Sequence, residues 1–318
     1  MKRSQRQFLA RQLAYTRLRI YRLGLKVGLQ IIPDHYYSSV ANIDKLLKTR
    51  EIWANKSELP GVVFDLEKQI ENLKNICVPF KKEYAGNNIY REALEKNFGH
   101  GFGYIEAQAL HSVVRYFKPR KIVEVGSGTS TFCSLKAAQI NKNETRVNSE
   151  IVCIEPYPHK SLRMLPEVQI IQKEVQTIPY ELFTSLQERD LLFIDSSHTV
   201  KPSSDVNFII LEILPRLQKG VIVHFHDIFF PYDYQRDILT SYFQWCETSL
   251  LRAFLINNSK INIVFCLSSL HYNKPEILKI VFPEYQPQND VNGLTYGFYP
   301  PFANIEKHFP TSIYLQFL

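Results

Sequence analysis

The stretch Lys121-Ile122-Val123-Glu124-Val125-Gly126-Ser127-Gly128-Thr129 runs a short apolar segment straight into a loop with two glycines. The next segment, Thr131–Ile140, has the pattern of a helix. A strand that feeds a glycine loop and then a helix is the opening unit of an open α/β sheet, in which ligands bind beyond the carboxyl ends of the strands. Glycines there let the backbone turn tightly and approach a ligand closely.

The chain continues in the same rhythm. Strands are predicted at Ile151–Ile154, Val168–Ile171, Leu191–Ile194 and Val221–Phe225, with helices at Tyr180–Leu186 and Asp205–Leu217 between them. This alternation predicts an α/β fold, a Rossmann-like, mostly parallel sheet with helices on both faces. Beyond Tyr234 the pattern suggests a helix over Asp237–Glu247, a strand near Phe254–Ile256, and apolar stretches at Ile261–Cys266 and Ile313–Leu318. Upstream lie a helix at residues 63–77, a helical stretch closing near Asn97, and a helix at Ile105–Phe117. Residues 1–100 are thus expected to form a helical extension and cap, and residues 101–318 the ligand-binding domain.

Bulk properties narrow the function. The chain has 318 residues, 45% of them hydrophobic and 22% charged, an ordinary globular mix. Its net charge is +7, but the excess sits in Lys2, Arg3, Arg6, Arg11, Arg17, Arg19, Arg22 and Lys26, with no acid before Asp34. The basic character is therefore local and does not point to nucleic acid. Residues 5–30 read as an amphipathic helix, with Ala14, Leu18, Tyr21, Leu25 and Leu29 on one face and Arg11, Arg19, Arg22 and Lys26 on another. It suits docking on the domain, on a second copy of the chain, or on an anionic membrane surface. Gly24 and Gly28 weaken it. Five widely spaced cysteines without a C-x-x-C pair suit buried thiols in a reducing, cytoplasmic setting, with peripheral membrane contact left open. No signal peptide or membrane span is expected.

Two cofactor readings compete at the loop. A dinucleotide fingerprint wants a third glycine where this chain has Thr131, and a pyrophosphate would be repelled by Glu124. S-adenosylmethionine carries no phosphate, and Glu124 suits its ammonium group. Glu155, at the end of the second strand and 27 residues past Gly128, is placed to accept hydrogen bonds from ribose hydroxyls. Glu174, past the third strand, lies where an adenine contact falls. The expected cofactor set is Glu124, Gly126, Ser127, Gly128, Glu155, Glu174 and Asp195. A nicotinamide-dependent oxidoreductase and a non-catalytic binding protein on the same fold are the alternatives.

The fourth strand ends in Asp195-Ser196-Ser197-His198 and the fifth in His224-Phe225-His226-Asp227, on the same sheet edge as the glycine loop. Methyl transfer to an oxygen needs a placed nucleophile and a proton acceptor, and histidine suits the second task. The catalytic candidates are His198, Asp195, His226 and Asp227. His198 is either a base or a hydrogen-bonding loop residue, and His224 is either core or site. A divalent cation such as magnesium held by Asp195 and Asp227 is a further option. Asp205 reads as a cap or first-turn acid. Tyr36, Tyr37 and Phe229-Phe230-Pro231-Tyr232 are candidate aromatic walls.

The stretches KIVEVGSGTSTFCSLKA, IVCIEPYP, LLFIDSSHTVKPSSDV and GVIVHFHDIFFPYDY resemble class I S-adenosylmethionine-dependent methyltransferases, in particular the bacterial group described as methyltransferase domain 24. HYYSSVANIDKL and PGVVFDLEKQIENL resemble that group's leader. The resemblance implies a seven-stranded sheet whose last strand, Ile313–Leu318 here, runs antiparallel. The strand ends are also similar to the metal-dependent catechol-type O-methyltransferases. In those, the strand-four acid and an Asp-Asp or Asp-Asn pair ending strand five bind magnesium, and a base lysine lies three residues past the strand-four acid. Here His226-Asp227 replaces the pair and His198 holds the base position. The acceptor so implied is a hydroxyl on a small molecule or a glycan; homo-oligomerisation is left open.

Overall fold

The computed structural model describes residues 3–146, 148–286, 292–295 and 309–318. The chain forms two compact units, residues 1–53 and 54–318. The helical leader foreseen over residues 1–100 is thereby divided. Its first half belongs to the small unit, and the helices from Leu66 onward belong to the large one.

In the small unit, helix α1 spans Arg3–Lys26. It stops short of the predicted end near residue 30 because Gly28 takes a left-handed turn with φ 75°. Gly28 N donates to Leu25 O and Leu29 N donates to Gly24 O, the paired bonds of a Schellman stop. Gly28 is therefore the helix terminator rather than a weak point inside it. Two short helices, Ile43–Lys48 and Arg50–Trp53, complete this unit.

The large unit is built on a seven-stranded sheet in the order β3-β2-β1-β4-β5-β7-β6. The strands are β1 Lys121–Val125, β2 Glu150–Ile154, β3 Val168–Ile171, β4 Leu191–Ile194, β5 Ile222–Phe225, β6 Ile261–Cys266 and β7 Ile313–Phe317. The first five pair in parallel, and β7 runs antiparallel to both β5 and β6. Strands β4 and β5 are buried throughout, which is why LLFI and IVHF are unbroken apolar runs save for one histidine. Alternate side chains feed two cores. Ile122, Cys153 and Phe193 join one with the helices α2 Leu66–Cys77, α3 Asn88–Glu95, α4 Tyr104–Phe117 and α5 Thr129–Thr145. Val123, Ile154, Leu192 and Phe225 join the other, with Ile209, Ile213 and Leu251.

Local chemistry sets the helix ends. Asp65 caps α2 by accepting from Lys68 N at 2.9 Å, which spares an otherwise orphaned first-turn donor. The helical run from Asp205 is α-helical only to Asn207, winds as a π-helix over Phe208–Ile213, and tightens to a 3₁₀ turn at Leu214–Arg216. Pro215 has no N–H to donate along an α-ladder there.

Two predicted elements differ. Residues 237–246 are turns and bends, and the helix α6 begins at Glu247 and runs to Leu255. The Gln235 side chain accepts from Trp245 N at 2.6 Å and donates to Asp237 Oδ1 at 3.0 Å, closing the segment as a loop. Phe254–Ile256 is the end of α6 rather than a strand, because Leu251 and Leu255, one turn apart, are both drawn into the core. All five cysteines are free thiols, and only Cys246 is not buried.

At the edge of the sheet opposite the glycine loop, buried Asp190 binds three backbone donors. Its carboxylate accepts from Arg120 N (3.0 Å), Lys121 N (2.9 Å) and Gln187 N (2.8 Å). It thereby ties the entrance of β1 to the turn before β4. Asp190→Ala leaves these donors unpaired, a loss of about 2–4 kcal/mol. Chemical denaturation of the variant is expected to show a lower midpoint, whereas Asp190→Asn, which keeps one acceptor oxygen, falls between.

Candidate active site

The backbone of the glycine loop is pressed against the end of β4. Gly126 has φ 84°, and a Cβ built on it would lie 2.0 Å from the Asp195 carbonyl oxygen. No other residue fits. Gly128 N donates to Thr131 Oγ1 at 3.1 Å. Thr131, where a dinucleotide loop would have its third glycine, thus caps the loop from inside. A cavity of about 590 Å³ opens beside it, lined by Gly126, Glu155, Glu174 and Asp195 among others. Pro156, Tyr157, Gln176, Ser196, Ser197 and Lys201 complete much of its wall.

Of the expected cofactor residues, Gly126, Glu155, Glu174 and Asp195 line this cavity. Ser127 stands behind Glu155, its Oγ 3.4 Å from Glu155 Oε2. Glu155 Oε1 accepts from Tyr157 N at 2.8 Å, which turns the carboxylate at the end of β2 and leaves it acceptor capacity. Gly128 shapes the turn, its backbone close to the Phe98 carbonyl.

Glu124 lies elsewhere than its sequence suggests. It is buried beneath the loop on the α5 face of the sheet, receiving a 2.5 Å hydrogen bond from Ser130 Oγ and contacting Cys153 Sγ at 3.6 Å. Burial raises its pKa to about 8, against the lowering effect of Ser130, Thr131 and Cys153. At neutral pH it is a protonated carboxyl that braces the loop, and a charge-to-charge contact with an ammonium group does not follow from this placement.

The second cluster forms where β4 and β5 end. His198 Nε2 lies 3.4 Å from both Asp195 Oδ1 and Asp227 Oδ2. Its Nδ1 is 2.7 Å from Glu247 Oε2, a buried acid at the start of α6. The Trp245 ring lies against the imidazole, centroids 4.5 Å apart. His226 Nδ1 lies 3.4 Å from Asp195 Oδ1 and 3.3 Å from Asp227 Oδ2, and its Nε2 is 3.1 Å from Glu106 Oε1. Neither ring nitrogen of His226 makes a well-aligned hydrogen bond among the described residues. Asp195, His198 and Asp227 each offer one ligand atom, all within 4.8 Å of one another. His198 (φ 57°) and Asp227 (φ 58°) both hold left-handed backbone, a costly conformation for such residues that concentrates at functional sites.

The charges explain each other. Burial works against ionised histidines here, yet Asp195, Glu247 and Asp227 hold the His198 pKa well above the usual range. Asp227, Glu106 and Asp195 do the same for His226. Asp195, though half-buried, is held far below the normal carboxylate range by His226 and His198. Burial raises the Glu247 pKa while His198 pulls it down. His224 stands apart: fully buried and stacked on Tyr314 with centroids 4.1 Å apart, it contacts Ser312 Oγ at 2.7 Å, and burial keeps it neutral. It belongs to the core.

Several partners had no signal in the sequence. Glu106 sits on the first turn of α4, where an acid reads as a cap, and one of its oxygens does hold Gly103 N at 3.0 Å. The other accepts from Thr311 N and Thr311 Oγ1, both at 2.8 Å, besides facing His226. Thr311 Oγ1 also lies 3.0 Å from Asp227 Oδ1, so its one proton serves either Glu106 or Asp227 at a time. Of the two roles expected for Asp205, it takes the first-turn one, and Ser204 caps the helix. Asp205 also fixes the loop after β4 by accepting from Ser197 N at 2.8 Å and Ser197 Oγ at 2.5 Å. Of the expected aromatic walls, Phe229, Phe230 and Tyr232 are buried, and Tyr36 and Tyr37 are exposed within the N-terminal unit.

A methyltransferase-domain family model matches residues 123–228. That span contains the glycine loop, Glu155 and the ends of β4 and β5. An uncharacterized protein of Archaeoglobus fulgidus is 30% identical over 177 residues, which cover 51% of this chain and 76% of that protein. The crystal structure of SAH-bound Podospora anserina methyltransferase PaMTH1 is similar over 71% of this chain and 92% of its own, at 17% identity and a TM-score of 0.36.

The placement of Glu124 has a measurable consequence. Its folded-state pKa of about 8 lies above the ordinary 4.5, so the fold binds this proton more tightly than the unfolded chain does. The stabilisation from the neutral carboxyl is complete below the ordinary pKa and is lost as pH rises towards 8. Between about pH 5 and 8, the melting temperature of the native chain is expected to fall more steeply than that of Glu124→Gln. Parallel curves for the two proteins would show that Glu124 is not a buried neutral acid.

Proposed function

The chain contains a methyltransferase domain, and from that and the site geometry we propose that it is a class I S-adenosylmethionine-dependent enzyme that methylates a hydroxyl oxygen of a small molecule or a sugar unit. The observation that carries this reading is the convergence of Asp195, His198 and Asp227 on one point beside the cavity. Asp195 belongs to both the cavity wall and the cluster.

The cavity's residues fit the cofactor. Its size is in the range of small-molecule sites. The missing Cβ of Gly126 lets the loop backbone lie against the end of β4, and Glu155 has free acceptor positions for a ribose diol. Glu174 stands on the adenine side, and Ser127 and Gly128 complete the loop. When bound, S-adenosylmethionine supplies an electrophilic methyl carbon on a sulfonium centre.

The chain's own task is to orient the acceptor oxygen and take its proton. His198 in its neutral form is our candidate for the proton acceptor; because Asp195, Glu247 and Asp227 raise its pKa, that form is reached only as pH rises above the usual histidine range. Glu247 engages Nδ1 and so fixes the ring with Nε2 turned to the cluster, the arrangement by which a buried acid orients a catalytic histidine. Asp195 and Asp227 stabilise the imidazolium that forms. His226, held by Glu106, positions the same two carboxylates from the other side.

The ligand-like spacing of the cluster favours a second role for the same residues. Asp195, His198 and Asp227 form a mixed oxygen and nitrogen set, and the unpaired Nδ1 of His226 faces the same two oxygens. These residues would hold a divalent cation, magnesium or a softer first-row ion, which would lower the pKa of an acceptor hydroxyl.

Tritium-labelled S-adenosylmethionine and a panel of hydroxylated acceptors, phenolic and glycosidic, test the reading. Label on oxygen supports it, and label solely on nitrogen or carbon overturns it. His198→Ala is expected to lower kcat by about 10²–10⁴-fold, while its affinity for S-adenosylhomocysteine stays near that of the native chain. Glu155→Ala should show the reverse, a loss of cofactor affinity in calorimetric titration. Activity that survives chelation assigns the proton to His198 alone, and activity lost to chelation and restored by a divalent cation assigns the cluster to metal binding.

A further inference from the structure

Helix α1 has a distribution of side chains that the catalytic unit does not account for. Leu9, Leu13, Ile20 and Leu23 recur at four-, seven- and three-residue steps and so share one face, with Thr16 among them and Val27 continuing the row in the turn beyond. These five apolar side chains are 45–71% exposed. The helix has 24 residues, a length of about 36 Å. Its charges are all of one sign: Arg3, Arg6, Arg11, Arg17, Arg19, Arg22 and Lys26, with no acid before Asp34. Arg17 lies to one side of the apolar row, and Arg19 and Lys26 to the other. Arg11 and Arg22 lie farther round, away from it. No helix among the described residues is long and apolar enough to cross a membrane.

We propose that α1 is a docking element for an anionic phospholipid surface, lying in the plane of the interface. Such a surface satisfies this row and the charges at once, and leaves Leu18 and Leu25, 45% and 46% exposed on the opposite side, outside the interface. The row of Leu9, Leu13, Ile20, Leu23 and Val27 enters the boundary between headgroups and acyl chains, and the flanking cations extend to the headgroup phosphates. Phe8 and Tyr15, exposed on the basic side, sit at headgroup level.

The two other occupants satisfy only half of it. A second copy of α1 could bury the apolar row, whose spacing alternates four and three like a short coiled-coil seam, but it would set seven cations against seven with no acid to pair them. A nucleic acid would match the charges and leave the leucines in water. The anionic bilayer is the one partner among these that offers apolar depth and negative charge together.

Flotation of the full-length chain with vesicles tests this. Vesicles of phosphatidylglycerol and phosphatidylcholine are expected to carry the chain at least tenfold better than phosphatidylcholine alone, and high salt should weaken the binding. Arg17→Glu/Arg19→Glu/Arg22→Glu and, separately, Leu13→Ser/Leu23→Ser should each abolish flotation. Binding of S-adenosylhomocysteine by these variants should stay unchanged, which shows that the catalytic unit is intact. The proposal is overturned if the native chain does not float with anionic vesicles. It is equally overturned if both variants float as well as the native chain, if duplex DNA competes the chain off every vesicle, or if sedimentation shows a stable dimer that is lost in the leucine variant and does not bind vesicles.

Discussion

The close approach of Gly126 to the carbonyl of Asp195 is the contact on which the site turns. It brings the end of β1 against the end of β4 without a side chain between them. One consequence is the cavity, which opens beside the loop and runs past Glu155 to Glu174. The other concerns Asp195, whose backbone is packed against the loop while its carboxylate lies at the His198–His226 cluster. A residue at the junction of two strands thus couples the cavity to the histidine cluster. A larger residue at position 126 would have to displace backbone, since the atom in its way is a carbonyl oxygen rather than the far end of a flexible side chain.

The sheet was legible because its strands are buried on both faces. Runs such as LLFI and IVHF have no alternation to confuse with a surface strand, and the glycine loop fixes which strand comes first. The antiparallel β7 followed from resemblance rather than from periodicity. Glu155's place on the cavity wall was readable because it depends only on being an acid at a strand end. Glu124 was not, because its state depends on what covers it. Ser130 and Cys153 come to it from a helix and a neighbouring strand, and burial converts an apparent anion into a neutral carboxyl. The segment after Tyr234 was misread for a related reason. Gln235 and Trp245 close a loop through a side-chain bond that leaves no periodic trace, so the apolar residues between them look like a helix face.

The histidine cluster shows the same limit at the level of chemistry. His198, His226, Asp195 and Asp227 were visible together because they fall at two strand ends. Their partners were not, because each comes from a different part of the chain: Glu247 from the start of α6, Glu106 from α4, and Thr311 from the segment entering β7. These partners decide what the visible residues can do. His224, only two residues from His226, is neutral because burial and the positive His226 outweigh the pull of Glu106 and Asp195. Its own contacts are a serine hydroxyl and a tyrosine ring, whereas Asp227, Glu106 and Asp195 all lie close to the His226 ring.

That distribution also explains why the cluster lies at the edge of the sheet and not within it. Four carboxylates, from Asp195, Asp227, Glu106 and Glu247, surround two imidazoles. Ionised acids packed this closely in a dry core would repel one another at a cost no nearby hydrogen bond offsets. At the strand ends the acids find donors: Glu106 has Gly103 N and Thr311 N, Asp227 shares the Thr311 hydroxyl with Glu106, and Glu247 has His198. Asp195, the remaining acid, has among the described residues the two imidazoles on its side chain and the cavity before it. The left-handed backbone at His198 and Asp227 fits this account. Both residues are turned out of the strand direction, at a conformational cost, so that their side chains meet beside Asp195.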